Sequence, residues 1–560
     1  MVALFGLVYA IVFVIGIWYS WSLWLMVGLT LFIILLQYLI SPILINWIYR
    51  IEWIPYEQFR GQFPHLADAV DKVIDLRGIK TPRMGIIRDG NPNAFTFGWT
   101  KNSARIVITT GILNYLNEEE QKAVVSHELG HVIHNDFIVM TLVFAVPLVL
   151  LTIARWAFYT SWFSRTRDKE GAILGLALIA IAILSYIAYF IGYLISLMVS
   201  RIREYYADEH AGEITENPNA LSTALVKIAY GLLIDAQYEE KQKSRVRALK
   251  GIGIFDPKSA VSFAAASMNS SGRYSQDAIQ AAASWDLFNP WAKYYQMFST
   301  HPLPAKRILR LNNQCELYGI KPELDFSKAK QIRKEQAGKS MMDEFLVDVA
   351  VKFLPILIFI ALIGMTIVWI FGAVGFSNIL INTFTLSNLL LFWAVGFYLI
   401  GFGSLIKTQF VYKSGFEPKN VVELVTNIKV SPIRTIPAVM EGIIIGRGIP
   451  GYYFGADLYL QDSTGLMYID YRFGLGIMDF FFAIRRVKKL VGQRVRIKGW
   501  YRRGPSPYLQ VDTIETETGR RFKNYAKHMT YIWAVVAFII GLVLFYFWYT
   551  TSPTGFFGLF

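Results

Sequence analysis

The stretch "VVSHELGHVIHND", Val124–Asp136, decides the reading of this chain. It places three histidines on a helical pattern that leads directly into an apolar segment beginning near Phe137. His127 and His131 stand four residues apart. On a helix that spacing puts both imidazoles on one face, about one turn apart, where they can grip a single Zn²⁺. Glu128 is adjacent and points to the side of such a metal, as a base for its water must. The alternative for the same residues is a pair of helix-surface histidines in a polar patch.

The third ligand sets the subclass. A glycine three residues after the second histidine and a further histidine three later would supply it locally, but His134 and Phe137 occupy those places. A carboxylate from elsewhere is needed, and "SRIREYYADEHAG" (200–212) offers one. Glu204 and Asp208 are again four apart. Glu204 can bind the metal, while Asp208 accepts the free N–H of a ligand histidine and fixes its tautomer. His131 lies six residues before the apolar segment near Phe137, and Glu204 five residues after another ends near Val199. Both therefore sit roughly 7–9 Å above the same membrane face.

Composition supports a membrane setting. Of 560 residues, 54% are hydrophobic, too many for an ordinary soluble protein. Seven stretches are read as spans: about 2–19, 22–45, 137–157, 172–199, 346–374, 386–406 and 530–550. The first lacks a basic leader and a small-residue cleavage site, so it is read as a retained helix. The single cysteine, Cys315, excludes an intramolecular disulfide framework and a cysteine-based zinc site. Lys and Arg crowd 50–136, 201–345 and 407–529, which places these segments in the cytoplasm, with the N-terminus inside and the C-terminus outside. The basic loop 158–171 disagrees with that orientation.

The polar blocks differ in kind. Residues 50–136 combine a helical pattern with strand-like runs at 83–88, 94–99 and 105–111. Asn117 and three glutamates then cap a helix that is expected to run unbroken into the third span. Residues 201–345 read as mostly helical, with a mobile Ser/Gly-rich stretch near 267–275. Block 407–529 contains five strand-like runs, "AVMEGIIIG", "ADLYLQD", "GLMYIDYR", "QRVRIKGWY" and "PYLQVDTIE", in an order that resembles a small OB-like barrel. Lys407–His528 holds 20 basic and 10 acidic residues, a net +10 of the chain's +14. Within 480–498, Arg485, Arg486, Lys488 and Lys489 follow three phenylalanines. An element on anionic lipid headgroups is one reading, and a solvated basic face over a barrel-filling Phe cluster is another. Tethering by spans on both sides favours lipid or a protein partner over nucleic acid.

HELGH at 127–131 and "REYYAD" (203–208), with "NAFTFG" (93–98) and "THPLPAKRI" (300–308), together resemble the HtpX and CAAX-prenyl-protease family of membrane zinc metallopeptidases, the HtpX branch in particular. The resemblance covers roughly residues 1–320. It implies that His127, His131 and Glu204 bind Zn²⁺, that Glu128 is general base and acid, and that Asp208 supports a ligand. It also implies that Asn93 and His301 lie by the substrate and stabilise an oxyanion, while Arg307 closes the downstream motif. Leu303 stands where the family often has proline. The fold expected is mainly α and polytopic, with a cytoplasmic zincin-like α+β catalytic domain and a C-terminal OB-like β-barrel. The domains expected are a helical hairpin (1–49), the metallopeptidase domain (50–345), a second hairpin (346–406), the basic barrel (407–529) and a last span with a short tail (530–560). The function implied is a cell-membrane endopeptidase cleaving cytoplasm-facing parts of damaged or misfolded membrane proteins. A prenyl-protein processing protease and a non-catalytic scaffold with a ligand-binding barrel remain the alternatives. Outside the motifs, His134 is expected to cap the helix near the lipid and His210 to lie on its helix surface.

Overall fold

The structure is a computed structural model describing residues 2–163, 169–238, 276–337, 341–373, 386–447, 457–471 and 490–551. The chain forms two units, residues 1–265 with 293–328 and residues 266–292 with 329–560. The stretch near 267–275 expected to be mobile lies outside the described residues.

In the first unit two apolar helices, α1 (Val2–Trp18) and α2 (Leu23–Tyr49), lead to strand β1 (Glu52–Ile54) and helix α3 (Pro64–Arg77). Strands β2 (Arg83–Ile87), β3 (Ala94–Phe97) and β4 (Arg105–Thr109) follow. The sheet order is β1-β2-β4-β3, with β2 and β4 parallel and the outer strands antiparallel, so β3 is an edge. Both faces of the sheet are packed against helices. One packs Phe95, Phe97 and Val107 against Ile45 near the end of α2. The other packs against the helix carrying His127, as Thr96 shows by reaching Glu128 at 2.7 Å.

That helix, α4 (Glu118–Ile133), begins as expected. Asn117 accepts from the Glu120 amide at 2.9 Å while the Glu120 carboxylate accepts from the Asn117 amide at 2.9 Å. It does not run unbroken into the membrane. His134 caps its C-terminus, Asn135 turns left-handed at φ 54, and α5 (Asp136–Phe163) starts afresh. Asparagine tolerates that conformation, and Arg203 donates to the His134 carbonyl at 2.7 Å. Helix α6 (Lys169–Thr215) is continuous over 47 residues, about 70 Å, more than twice a ~30 Å hydrocarbon core. Its last turns therefore stand clear of the apolar segment. Helices α7 (Pro218–Tyr238) and α8 (Pro304–Leu317) pack around this extension. His210, expected at the surface, is consequently 3% exposed.

The second unit has three long apolar helices, α9 (Met342–Ala373), α10 (Leu386–Val411) and α11 (Ala526–Thr551). Between the last two lies a barrel of β5 (Ile436–Arg447), β6 (Leu458–Gln461), β7 (Leu466–Asp470), β8 (Arg494–Arg503) and β9 (Pro507–Thr516). β5 pairs with β6, β6 with β7, β7 with β9 in parallel, β9 with β8, and β8 with β5, which closes the ring. Met440, Ile444, Leu460, Met467, Ile469, Ile497, Leu509 and Ile514 fill it. Gly442 and Gly499 sit where a Cβ would lie 2.3 Å from the Gln461 and Gln510 carbonyls, so strands cross closely there. This matches the OB-like pattern of the sequence.

Six described helices are long and apolar enough to cross a bilayer: α2, α5, α6, α9, α10 and α11. The seventh expected span, α1, has 17 residues, about 26 Å, short of the hydrocarbon core.

The α4–α6 crossing is close at Gly130, where a Cβ would meet Ala207 Cα at 2.9 Å. Alanine favours helices over glycine by about 1 kcal/mol. Gly130→Ala is nevertheless expected to destabilise the protein by about 1–3 kcal/mol, because it pushes two packed helices apart. A thermal melt of the variant at or above that of the parent would refute the close contact.

Candidate metal centre

His127 and His131 project from one face of α4, their ring centroids 4.9 Å apart and their planes at 87°. His127 is fully buried. Its Nδ1 lies 3.0 Å from Asp208 Oδ1, which turns Nε2 inward. His131 Nδ1 lies 2.7 Å from Asp136 Oδ2, with the same effect on its ring. The two Nε2 atoms then face one carboxylate: His127 Nε2 is 3.8 Å from Glu204 Oε2, and His131 Nε2 is 3.8 Å from Glu204 Oε1.

The donor set suits a tetrahedral ion. Bonds of about 2.0–2.1 Å at tetrahedral angles separate ligand atoms by about 3.4 Å, and here all three donors lie within 4.8 Å of one another. The Nε2 of His127 is buried with no hydrogen-bond partner. A buried polar atom so left is costly unless something outside the protein completes it. His127, His131 and Glu204 therefore fit a Zn²⁺-type ion.

A buried ion network holds these ligands. Arg307 is fully buried and grips Asp208 in bidentate fashion, Nη2 to Oδ1 at 2.6 Å and Nε to Oδ2 at 2.9 Å. Its Nη1 lies 3.4 Å from Glu204 Oε2. Burial alone would push the Arg307 guanidinium down, but the Asp208 and Glu204 carboxylates carry it above its ordinary value. His301 Nδ1 lies 3.1 Å from Glu204 Oε2. The sequence-predicted His127, His131, Glu204, Asp208, Arg307 and His301 thus meet at one point.

Glu128 is 3% exposed, and its Oε2 accepts a hydrogen bond from Thr96 on β3. Asn93 sits just before β3, buried, its main chain held on both sides by the Thr109 hydroxyl at 2.9 and 3.0 Å. The basic residues Arg485, Arg486, Lys488 and Lys489 lie outside the described residues.

Two residues of the site escape a reading by helical spacing. Asp136 is five residues beyond His131, off its face on an unbroken helix, and reaches back only because the chain turns at Asn135. Arg203 pairs with the other Asp136 oxygen. Thr96 belongs to a strand whose approach to α4 is a tertiary fact. The Asn-Asp pair, Asn135-Asp136, was the available signal for the first, since Asn tolerates the left-handed turn and Asp suits a helix start. Thr96 lies within the NAFTFG run, but no local pattern marks it as a partner of Glu128. Asp136→Asn is expected to weaken metal binding about 10–100-fold, as removal of a ligand's supporting carboxylate does. Competition with a chromogenic chelator measures it, and parent-like affinity would remove Asp136 from the site.

Comparison with known proteins bears on the same residues. Residues 61–314 match peptidase family M48. A protease HtpX homolog of Methanothermobacter thermautotrophicus is 43% identical over 232 residues, 41% of this chain and 83% of the relative. Homologs from Thermococcus sibiricus and Thermoplasma acidophilum are each 30% identical, over 46% and 55% of this chain and 76% and 91% of their own length. The solved structure of S. mikatae Ste24p aligns at TM-score 0.32 with 18% identity, over 55% of this chain and 63% of that one.

Proposed function

Because this chain belongs to the HtpX-type proteases of peptidase family M48, we propose that it is a zinc-dependent endopeptidase that cuts polypeptides close to the membrane face. It is a membrane metallopeptidase by family and by its six long apolar helices. The observation that supports the zinc assignment is the meeting of two Nε2 atoms and one carboxylate in a buried pocket, each held by a charged neighbour.

The residues divide the reaction as follows. His127, His131 and Glu204 would hold the ion, which supplies an acidified water and a polarised scissile carbonyl. Glu128 would take the proton of the attacking water and deliver it to the leaving amine. Its hydrogen bond from Thr96 aims the carboxylate and leaves one oxygen for this transfer. His301, its Nδ1 placed 3.1 Å from Glu204, would present its other ring nitrogen to the developing oxyanion, with Asn93 as second donor, each worth about 2–4 kcal/mol. Edge strand β3 carries Thr96 to the site and, among the described residues, has one side unpaired in its sheet, so an extended substrate backbone can add there with little sequence preference. Such readout suits damaged or misfolded membrane proteins as substrates. The Lys and Arg distribution of the polar blocks supports a site that faces the cytoplasm.

Glu128→Gln is expected to keep stoichiometric zinc and lower kcat for peptide cleavage by about 10²–10⁴-fold. Zinc content by elemental analysis and cleavage of an unfolded reporter check both halves. Full cleavage by the purified variant would sink the mechanism, and a metal-free parent would favour a scaffold.

A further inference from the structure

One part of the first unit takes no role in this chemistry. The β3–β4 turn reaches down beside α2. Trp99 donates through Nε1 to the Leu39 carbonyl at 2.9 Å, and the Tyr38 hydroxyl donates to the Trp99 carbonyl. Leu39 lies ten residues before the end of α2 at Tyr49, about 15 Å along the axis and well inside its apolar run. A Trp beside a spanning helix is the usual anchor at the lipid–water boundary. The turn also carries Lys101, exposed at its tip.

Above Trp99 a row of cations and rings crosses the α2-facing side of the sheet. The Arg105 guanidinium lies 4.8 Å from the Trp99 ring centre and 5.6 Å from that of Phe97, its register partner. Arg83 lies 4.8 Å from the ring of Trp53, whose neighbour Gly85 leaves room for it: a Cβ there would meet Trp53 at 3.1 Å. Arg83 and Arg105 are direct register partners in the parallel β2–β4 pair, so their backbones stand one strand spacing, about 4.8 Å, apart and both side chains leave on one face.

The electrostatics are unbalanced. Between Leu76 and Asn117 the sole carboxylate is Asp89, buried and occupied by Asn91. Arg77 and Arg88 pair with Glu213 and Glu52. Among the described residues Lys80, Arg83, Lys101 and Arg105 form no ion pair. Arg105 Nη1 is buried with no hydrogen-bond partner. Burial first, and then the Arg83 charge, push the Arg105 guanidinium down. Like charges on adjacent strands of one face, one of them with an orphaned donor, favour an anion from outside the chain.

We propose that Arg83 and Arg105, with Lys101 and Lys80 at the rim, form a binding site for the phosphate of an anionic phospholipid headgroup. The depth of Trp99 beside α2 sets the occupant. A phosphate held there belongs to a lipid whose chains run down α2, and the aromatic rings flank its glycerol end. The site fixes the sheet, and with it β3, at a constant height over the bilayer. It stands apart from the metal centre, and its test reads lipid binding alone, so it survives or fails independently of the peptidase reading.

The full chain in zwitterionic detergent is titrated with dioleoylphosphatidylglycerol, dioleoylphosphatidylcholine and inorganic phosphate, and bound lipid is counted by native mass spectrometry. Phosphatidylglycerol is expected to bind in preference to phosphatidylcholine, and millimolar phosphate not to displace it. At about five-fold per cation, Arg83→Gln with Arg105→Gln weakens phosphatidylglycerol about thirty-fold. Lys101→Gln, on an exposed side chain that cannot disturb folding, weakens it about five-fold. Parent-like affinity in a folded double variant, or in Lys101→Gln should the double variant not fold, overturns the proposal. So does displacement by inorganic phosphate, which would make the site a free-phosphate site.

Discussion

The contact between Gly130 and Ala207 governs the centre of the molecule. A glycine on α4 lets that helix approach the backbone of α6 until a Cβ would have no room. Only at that separation do the Nε2 atoms of His127 and His131 both come within 3.8 Å of the Glu204 carboxylate. The two histidines are local to one helix, but the third donor is 73 residues beyond His131 in the chain. The helix–helix distance, more than any single hydrogen bond, converts three polar residues into one binding point.

Bringing those groups together buries charge, which is costly unless every charge is paired. The solution is a chain of partners running outward from the centre. Arg307 neutralises Asp208 with two hydrogen bonds and approaches Glu204 with its third nitrogen. Asp208 orients His127, and Asp136 orients His131 while bonded to Arg203. Each ring nitrogen that faces away from the centre lies beside a carboxylate, so the facing nitrogens are directed inward. Helices α4, α5, α6 and α8 all contribute, which makes the site a property of the whole first unit.

The sequence disclosed much of this, for reasons that can be named. His127 and His131, like Glu204 and Asp208, repeat at four residues, and a helix turns that spacing into a shared face. Matching distances from two apolar runs gave their common height. The five barrel strands were legible as strand-like runs separated by Gly, Pro and Asp, and the first half of Arg494–Arg503 also alternates buried and exposed residues. What stayed hidden was non-local or conformational. The parallel seam between β7 and β9 joins segments with long chain between them, and no local pattern announces it. The helix break at Asn135 depends on a left-handed residue and on Arg203 arriving to satisfy a carbonyl. Without that break Asp136 has no place in the site. His210 was misread because the extension of α6 looks like a projecting rod in sequence, whereas α7 and α8 wrap it.

The unbroken length of α6 carries a constraint of its own. Its lower part packs along α5, while its upper part must aim Glu204 at the histidines. An α-helix advances about 100° per residue, so one residue added or lost between those two regions would swing the carboxylate to another quadrant. The number of residues crossing the lipid is therefore tuned in phase as well as in length, and the hydrophobic segment is part of the geometry of the metal centre.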